Sequence, residues 1–173
     1  MTVNDFPIDY CASIFCDDKN KNDISIAYDG QAQILNLFRF LQDCFNEVLV
    51  VTSQPLKYED LGLNIIHDIL PNKGPLGCIV SSLLVTKFDR VFILPTNFDK
   101  ISNDQIVSLL DGSQSNDVTL FVKDGELLTN LGIYTKNCLQ YLEGALFDNN
   151  LSLNQIFQEM NSSLIIDYIE LAP

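Results

Sequence analysis

With 173 residues, 23 acidic against 10 basic side chains and a net charge of −13, the chain is long enough for one substantial core and carries the wrong sign for polyanions. Nucleic acid and anionic membrane surfaces are excluded as ordinary partners, because binding either one leans on Lys and Arg. No apolar run approaches the roughly 18 residues of a membrane span, and Met1-Thr2-Val3-Asn4-Asp5-Phe6 lacks a basic and then apolar leader, so a cytoplasmic protein is expected.

Tyr10 to Phe15 reads as a first short strand, followed by the polar loop Cys16-Asp17-Asp18-Lys19-Asn20-Lys21-Asn22-Asp23, which has no glycine. Tyr28-Asp29-Gly30-Gln31 reads as a turn. Ile34, Leu35, Leu37, Phe38 and Leu41 then recur at helical spacing, in a helix ending near Cys44. Glu47 to Thr52 is a second strand, apolar enough to be buried on both faces. A short helix at Tyr58 to Gly62 and a third strand at Asn64 to Ile66 come next.

The stretch Lys73-Gly74-Pro75-Leu76-Gly77-Cys78 opens a helix. Gly74 lets the backbone turn, Pro75 has the fixed φ and missing N–H that suit a first helical position, and Ile79, Val80, Leu83 and Leu84 make a buried stripe. Arg90 to Leu94 is another buried strand, and the loop Pro95-Thr96-Asn97-Phe98-Asp99 follows it. In doubly wound sheets ligands sit outside the carboxyl ends of the strands, so this loop is where chemistry is expected.

Ser102 with Gln105 is a capping-box signature for a helix through Leu110. Strands are expected at Val118 to Val122, Leu131 to Tyr134 and Leu164 to Ile169, with a turn at Lys123-Asp124-Gly125-Glu126. Helices are expected at Thr135 to Phe147 and from Ser152 to about Met160. Strands and helices alternate, which predicts a single α/β domain over residues 1–173, a three-layer unit with a mostly parallel, twisted sheet and helices on both faces. The five cysteines are odd in number and show no Cys-x-x-Cys spacing, which argues against a disulfide framework or a zinc site. Cys11, Cys44, Cys78 and Cys138 lie in apolar segments and read as small buried hydrophobes. The only histidine, His67, has no supporting partner in the sequence and reads as a surface or core residue before a catalyst.

The order of these pieces resembles the MobA family, the molybdenum cofactor guanylyltransferases, among the Rossmann-like nucleotidyltransferases. The likeness is carried by Phe45-Asn46-Glu47-Val48-Leu49-Val50-Val51-Thr52, by His67-Asp68-Ile69-Leu70-Pro71-Asn72-Lys73-Gly74-Pro75-Leu76-Gly77, by Asp124-Gly125-Glu126 through Leu131-Gly132-Ile133-Tyr134, and by Asn150-Leu151-Ser152-Leu153. It implies transfer of GMP from GTP to molybdopterin with release of pyrophosphate, with Mg²⁺ as cofactor. On that resemblance the nucleotide would meet Cys16, Asp17, Asp18, Lys19, Asp68, Gly74, Pro75 and Gly77. The family lysine would fall at Asp23 or be replaced by Lys21 or Lys19, and the metal would fall to Asn97 or Asp99.

The chain departs from the family at three points. The family's Leu-Ala-Gly-Gly loop and its arginine give way to Cys16-Asp17-Asp18-Lys19, without glycine or arginine. Two carboxylates close to a triphosphate would repel it by about 1–4 kcal/mol per pair, depending on the local dielectric. Asp23 stands at the lysine position, and Asn97 stands where the family's Asp-Met-Pro run carries the metal carboxylate. A neutral amide is a poorer ligand than a carboxylate for a hard divalent cation. Impaired or lost catalysis is therefore expected. The alternatives are an inactive member that works as a binding or partner protein, for instance with another protein of molybdenum cofactor biosynthesis, and a member that takes a less anionic ligand in the same cleft.

Overall fold

The computed structural model describes residues 9–16, 24–70, 73–98, 101–147, 153, 157 and 166–170. Along the chain run β1 (Tyr10–Phe15), α1 (Ile24–Gln42), β2 (Glu47–Thr52), a 3-10 segment (Pro55–Leu61), β3 (Ile65–His67), α2 (Pro75–Val85) and β4 (Arg90–Pro95). They are followed by α3 (Asn103–Gly112), β5 (Val118–Lys123), β6 (Glu126–Thr135), a 3-10 turn (Lys136–Cys138), α4 (Leu139–Phe147) and β7 (Ile166–Glu170). The seven strands form one sheet in the order β3-β2-β1-β4-β6-β5-β7. β1, β2, β3 and β4 are mutually parallel, β7 is parallel to β5, and β6 alone runs antiparallel to both of its neighbours. The expected α/β class and mostly parallel sheet are observed.

The two faces follow from the period-two alternation of the strands. Ala12, Ile14, Val48, Val50, Phe92 and Leu94 point to one side, where Ile34, Leu37, Phe38 and Leu41 of α1 and Ile106 and Leu109 of α3 cover them. Cys11, Phe15, Leu49, Val51, Val91 and Ile93 point to the other, under Leu76, Ile79, Val80 and Leu83 of α2 and Leu142 of α4. Both faces of the central strands are therefore dry, which is why they read as nearly unbroken apolar runs.

Local signals account for several boundaries. Ser102 caps α3: its Oγ accepts from the Gln105 N–H at 3.2 Å, while the Gln105 side chain accepts from the Ser102 N–H at 2.8 Å. Asp124 (φ 52°) and Gly125 (φ 79°) both take left-handed backbone, as a two-residue hairpin between β5 and β6 requires.

Two expectations are corrected. Tyr28-Asp29-Gly30-Gln31 is not a turn but lies within α1. Ile24, Ala27 and Tyr28 already continue the helical spacing, and one interior glycine costs a helix only about 1 kcal/mol. The strand expected at Leu131 to Tyr134 runs from Glu126 to Thr135, because its first half is a half-buried hairpin arm whose pairing with β5, not its apolarity, makes it a strand. The capping box expected at Ser152 and Gln155 lies outside the described residues.

One polar seam runs through the second core. Ser82 Oγ donates to the Cys78 carbonyl at 2.7 Å, which leaves it to accept from Ser13 Oγ, also at 2.7 Å. Cys11, Cys78 and Cys138 are fully buried, as expected, whereas Cys44 is half-buried. Burial pushes the Cys78 thiol up to about 12 and that of Cys138 to about 11, from an ordinary 9.0. Above pH 9 the unfolded thiols lose protons that the folded ones keep, so the unfolded state binds fewer protons and stability falls as pH rises. The melting temperature should therefore hold between pH 7 and about 8.5 and decline steadily toward pH 11. A melting temperature flat to pH 10.5, or alkylation of these cysteines by iodoacetamide in the folded protein at pH 8, would contradict this burial.

Candidate functional site

The parallel strands β3, β2, β1 and β4 end on one edge of the sheet, and their ladders run one residue past each strand. The Asp68 N–H donates to the Thr52 carbonyl at 2.9 Å, the Cys16 N–H to that of Val51 at 3.0 Å, and the Thr96 N–H to that of Phe15 at 3.0 Å. Asp68, Thr52, Cys16 and Thr96 thus stand in a row along the carboxyl edge. From β1 the chain winds one way through β2 to β3 and then crosses to β4 on the other side. The reversal falls between β1 and β4, at Cys16 and Thr96, the point where sheets of this kind hold their ligands.

Each described candidate has a definite environment. Cys16 is buried at the end of β1. Asn97 is exposed in the turn after β4, a turn closed by the Phe98 N–H donating to the Pro95 carbonyl at 3.0 Å. Gly74 precedes α2 with φ 57° and ψ −138°, a conformation open essentially to glycine alone, and Pro75 follows at the first helical position. The N–H groups of Pro75's successors Leu76 and Gly77 belong to the first turn of α2, where a helix has no intrahelical acceptor for them. Lys73, just before α2, donates to the Leu146 carbonyl near the end of α4 at 3.2 Å, a favourable partner for a helix carboxyl end. Asp17, Asp18, Lys19, Lys21, Asp23 and Asp99 lie outside the described residues.

Asp68 is 5% exposed, so it is not a solvated loop carboxylate. Its Oδ1 accepts from the Leu70 N–H at 2.9 Å and from Ser81 Oγ at 3.3 Å. Gly77 lies directly against it: a Cβ built there would stand 2.9 Å from Oδ1 and 2.7 Å from the Leu70 carbonyl oxygen. His67, one residue earlier, is exposed at the end of β3.

Of the described candidates, Asp68 and Asn97 cannot hold one divalent cation between them. Among the described residues no three His, Cys, Asp or Glu side chains come together to hold a metal ion. Asp68 follows β3 and Asn97 follows β4, with β2 and β1 between them. Three strand spacings, about 14 Å, are too far for one ion. Asn97 alone offers one neutral oxygen.

Sequence reasoning missed Thr52, Thr96 and Ser81. Thr52 is the last residue of β2 and Thr96 the first after β4, polar ends of apolar runs that are a usable signal for a carboxyl edge. Thr52 also holds the chain leaving β2, its Oγ1 accepting from the Gln54 N–H at 2.9 Å. Ser81 is one helical turn after Gly77 and shares its face, a spacing visible in the sequence once Gly77 is known to touch something.

Comparison with known proteins extends this geometry. The sequence matches the model of one family, described as MobA-like NTP transferase domain, over residues 20–163. A Clostridium perfringens (strain 13 / Type A) protein named "Probable molybdenum cofactor guanylyltransferase" is 28% identical over 134 residues, 77% of this chain and 67% of its own. The chain spans about two thirds of the length of the curated relatives it matches. Among solved structures, a protein of Aquifex aeolicus VF5 superposes with a TM-score of 0.79 at 16% identity, over 95% of this chain and 88% of that one. The molybdopterin-guanine dinucleotide biosynthesis protein A of Archaeoglobus fulgidus superposes with a TM-score of 0.66 at 12% identity, over 92% and 83%. At these identities the structural likeness speaks for the fold.

Proposed function

The chain belongs to the MobA-like NTP transferase family, and on that premise we propose that it binds GTP across the β1–β4 crevice and serves molybdenum cofactor biosynthesis with impaired or lost GMP transfer. The names of its curated relatives support the pathway. The glycine-and-proline start of α2 on the same edge supports a nucleotide site.

The observation that carries the reading of weak catalysis is Asn97, exposed in the turn after β4 at the position the family gives to a metal carboxylate. In the family's reaction a molybdopterin phosphate oxygen attacks the α-phosphorus of GTP, and pyrophosphate leaves. Charge gathering on the leaving group has to be met by fixed opposite charge, which is usually the largest contribution to such a rate. That charge would come from Mg²⁺, which a neutral amide at this place would hold less firmly than a carboxylate, and Asp68, buried three strands away, cannot replace it. The acidic Asp17 and Asp18 add repulsion, and Lys19 and Lys21 are the cations the sequence leaves for the phosphates.

Titration calorimetry with GTP, with and without Mg²⁺ and with CTP as control, tests the reading alongside an assay of GMP transfer to molybdopterin. The expected result is micromolar GTP binding that Mg²⁺ strengthens less than about tenfold, or 1.4 kcal/mol, with transfer slow or absent. Asn97→Asp should increase the Mg²⁺ dependence. No heat at millimolar GTP would remove the nucleotide site, whereas rapid turnover would remove the claim of impairment. In the first case a binding or partner protein becomes the better reading. It is favoured by two apolar side chains exposed shortly after the ends of β2 and β3, Leu56 (78%) and Ile69 (49%).

A further inference from the structure

We propose that Ser81 is a positioning residue for the nucleotide site, acting through Asp68 on the backbone that runs from β3 into α2. This deepens the GTP-binding reading and rests on it.

Ser81 has no exposed surface and sits nearly two turns into α2. Its hydroxyl accepts from the Ile69 N–H at 3.1 Å and donates to Asp68 Oδ1 at 3.3 Å. The same Oδ1 accepts from the Leu70 N–H at 2.9 Å. The result is a closed circuit in which one hydroxyl and one carboxylate oxygen fix two consecutive backbone N–H groups just beyond the sheet edge. Only a group that both accepts and donates can stand at position 81, which limits it to Ser or Thr among residues of this size.

Gly77 completes the arrangement from the same face of α2. Its missing side chain is what lets the Asp68 carboxylate and the Leu70 carbonyl come down onto the helix. Contacts from two positions of α2, one turn apart, therefore determine where this segment leaves the sheet and how it approaches the positive-φ Gly74. Both bonds that the circuit makes to Asp68 fall on Oδ1, so the carboxylate fixes the backbone through one oxygen. Removal of the hydroxyl leaves a buried carboxylate with one donor fewer and the Ile69 N–H without its acceptor, a cost the backbone relieves by moving.

Ser81→Ala and Ser81→Thr are compared by amide hydrogen exchange without nucleotide and by GTP calorimetry. Ser81→Ala should speed exchange at Ile69 and Leu70 while leaving β1 and β4 protected, and should weaken GTP binding about five- to tenfold. Ser81→Thr, which keeps the hydroxyl, should bind GTP within about twofold of the parent. Unchanged GTP affinity in a Ser81→Ala protein whose Ile69 and Leu70 amides have been freed would overturn the proposal while leaving the nucleotide site intact. Unchanged exchange at both amides would overturn the circuit itself. A parent protein that binds no GTP would overturn the functional reading and the role of Ser81 in it, and exchange would still report on the circuit.

Discussion

Phe92→Ala is expected to lower the unfolding free energy by about 3–5 kcal/mol, a large part of the 5–15 kcal/mol that holds a domain folded. β4 is the middle strand of the seven, and Phe92 sits at its centre with no exposed surface. It faces Ala12 across the β1 pairing and Ile133 across the β6 pairing, so it stands where the parallel half of the sheet meets its antiparallel strand. Its ring stacks on that of Phe45 with centroids 5.6 Å apart and planes 12° from parallel. Truncation removes the ring's burial and leaves a cavity lined by rigid strands, which cannot close around it as a loop could. Urea unfolding should show a lower midpoint with an unchanged slope, and Phe92→Leu should cost less because it leaves a smaller void. A loss below about 1 kcal/mol would mean that the α1–α3 face collapses into the gap. That same strand carries Thr96 and Asn97 on its carboxyl end, so a destabilised β4 would also loosen one wall of the crevice.

The elements that were legible in the sequence carry their cause locally. β2 has the bounds its apolar run announces, α3 begins at its capping box, and α2 begins at Pro75 after the glycine that turns the chain. What was illegible depends on partners far along the chain. The direction of β6 is not written in Leu131 to Tyr134. It follows from the Asp124-Gly125 hairpin, whose two left-handed residues fold β6 back along β5, so that it enters beside β4 in the opposite sense. The early start of α1 was hidden by Asp29 and Gly30, which favour turns unless neighbouring residues outweigh them.

The site divides in the same way. Gly74, Pro75 and Gly77 attract attention from sequence because each has a backbone reason to be what it is. Their separate tasks are visible only in three dimensions. Gly74 is needed for its torsion angles and meets nothing a Cβ would strike, whereas Gly77 has ordinary helical backbone and is needed for space. Asp68 could not be told from a solvated carboxylate because its partner Ser81 lies thirteen residues on, in another element.

That division of tasks gives the second large prediction, a reversal of sign between two Gly→Ala substitutions in helices. Gly144 lies in α4, is exposed, and has nothing within 4 Å of where a Cβ would stand. Alanine there should stabilise the protein by about 0.5–1 kcal/mol, since it restricts the unfolded chain and favours the helix. Gly77 would gain the same propensity, but its Cβ would come within 2.7 Å of the Leu70 carbonyl and 2.9 Å of Asp68 Oδ1. The first contact is backbone, and the second belongs to a carboxylate pinned by Leu70 and Ser81, so neither can swing aside as the tip of a long side chain would. Relief requires the 68–70 backbone to lift off α2, at the roughly 1–3 kcal/mol typical of overpacking, which exceeds the gain in propensity. Gly77→Ala should therefore lower the melting temperature while Gly144→Ala raises it, and Gly77→Val should be worse than Gly77→Ala. Because the strain falls on the segment leading to Gly74, Gly77→Ala should weaken GTP binding by tenfold or more, roughly 1.4 kcal/mol, whereas Gly144→Ala leaves it unchanged. Stabilisation by both alanines would mean that the β3–α2 connection yields at no cost, and the close approach of Asp68 to α2 would then have no part in shaping the site.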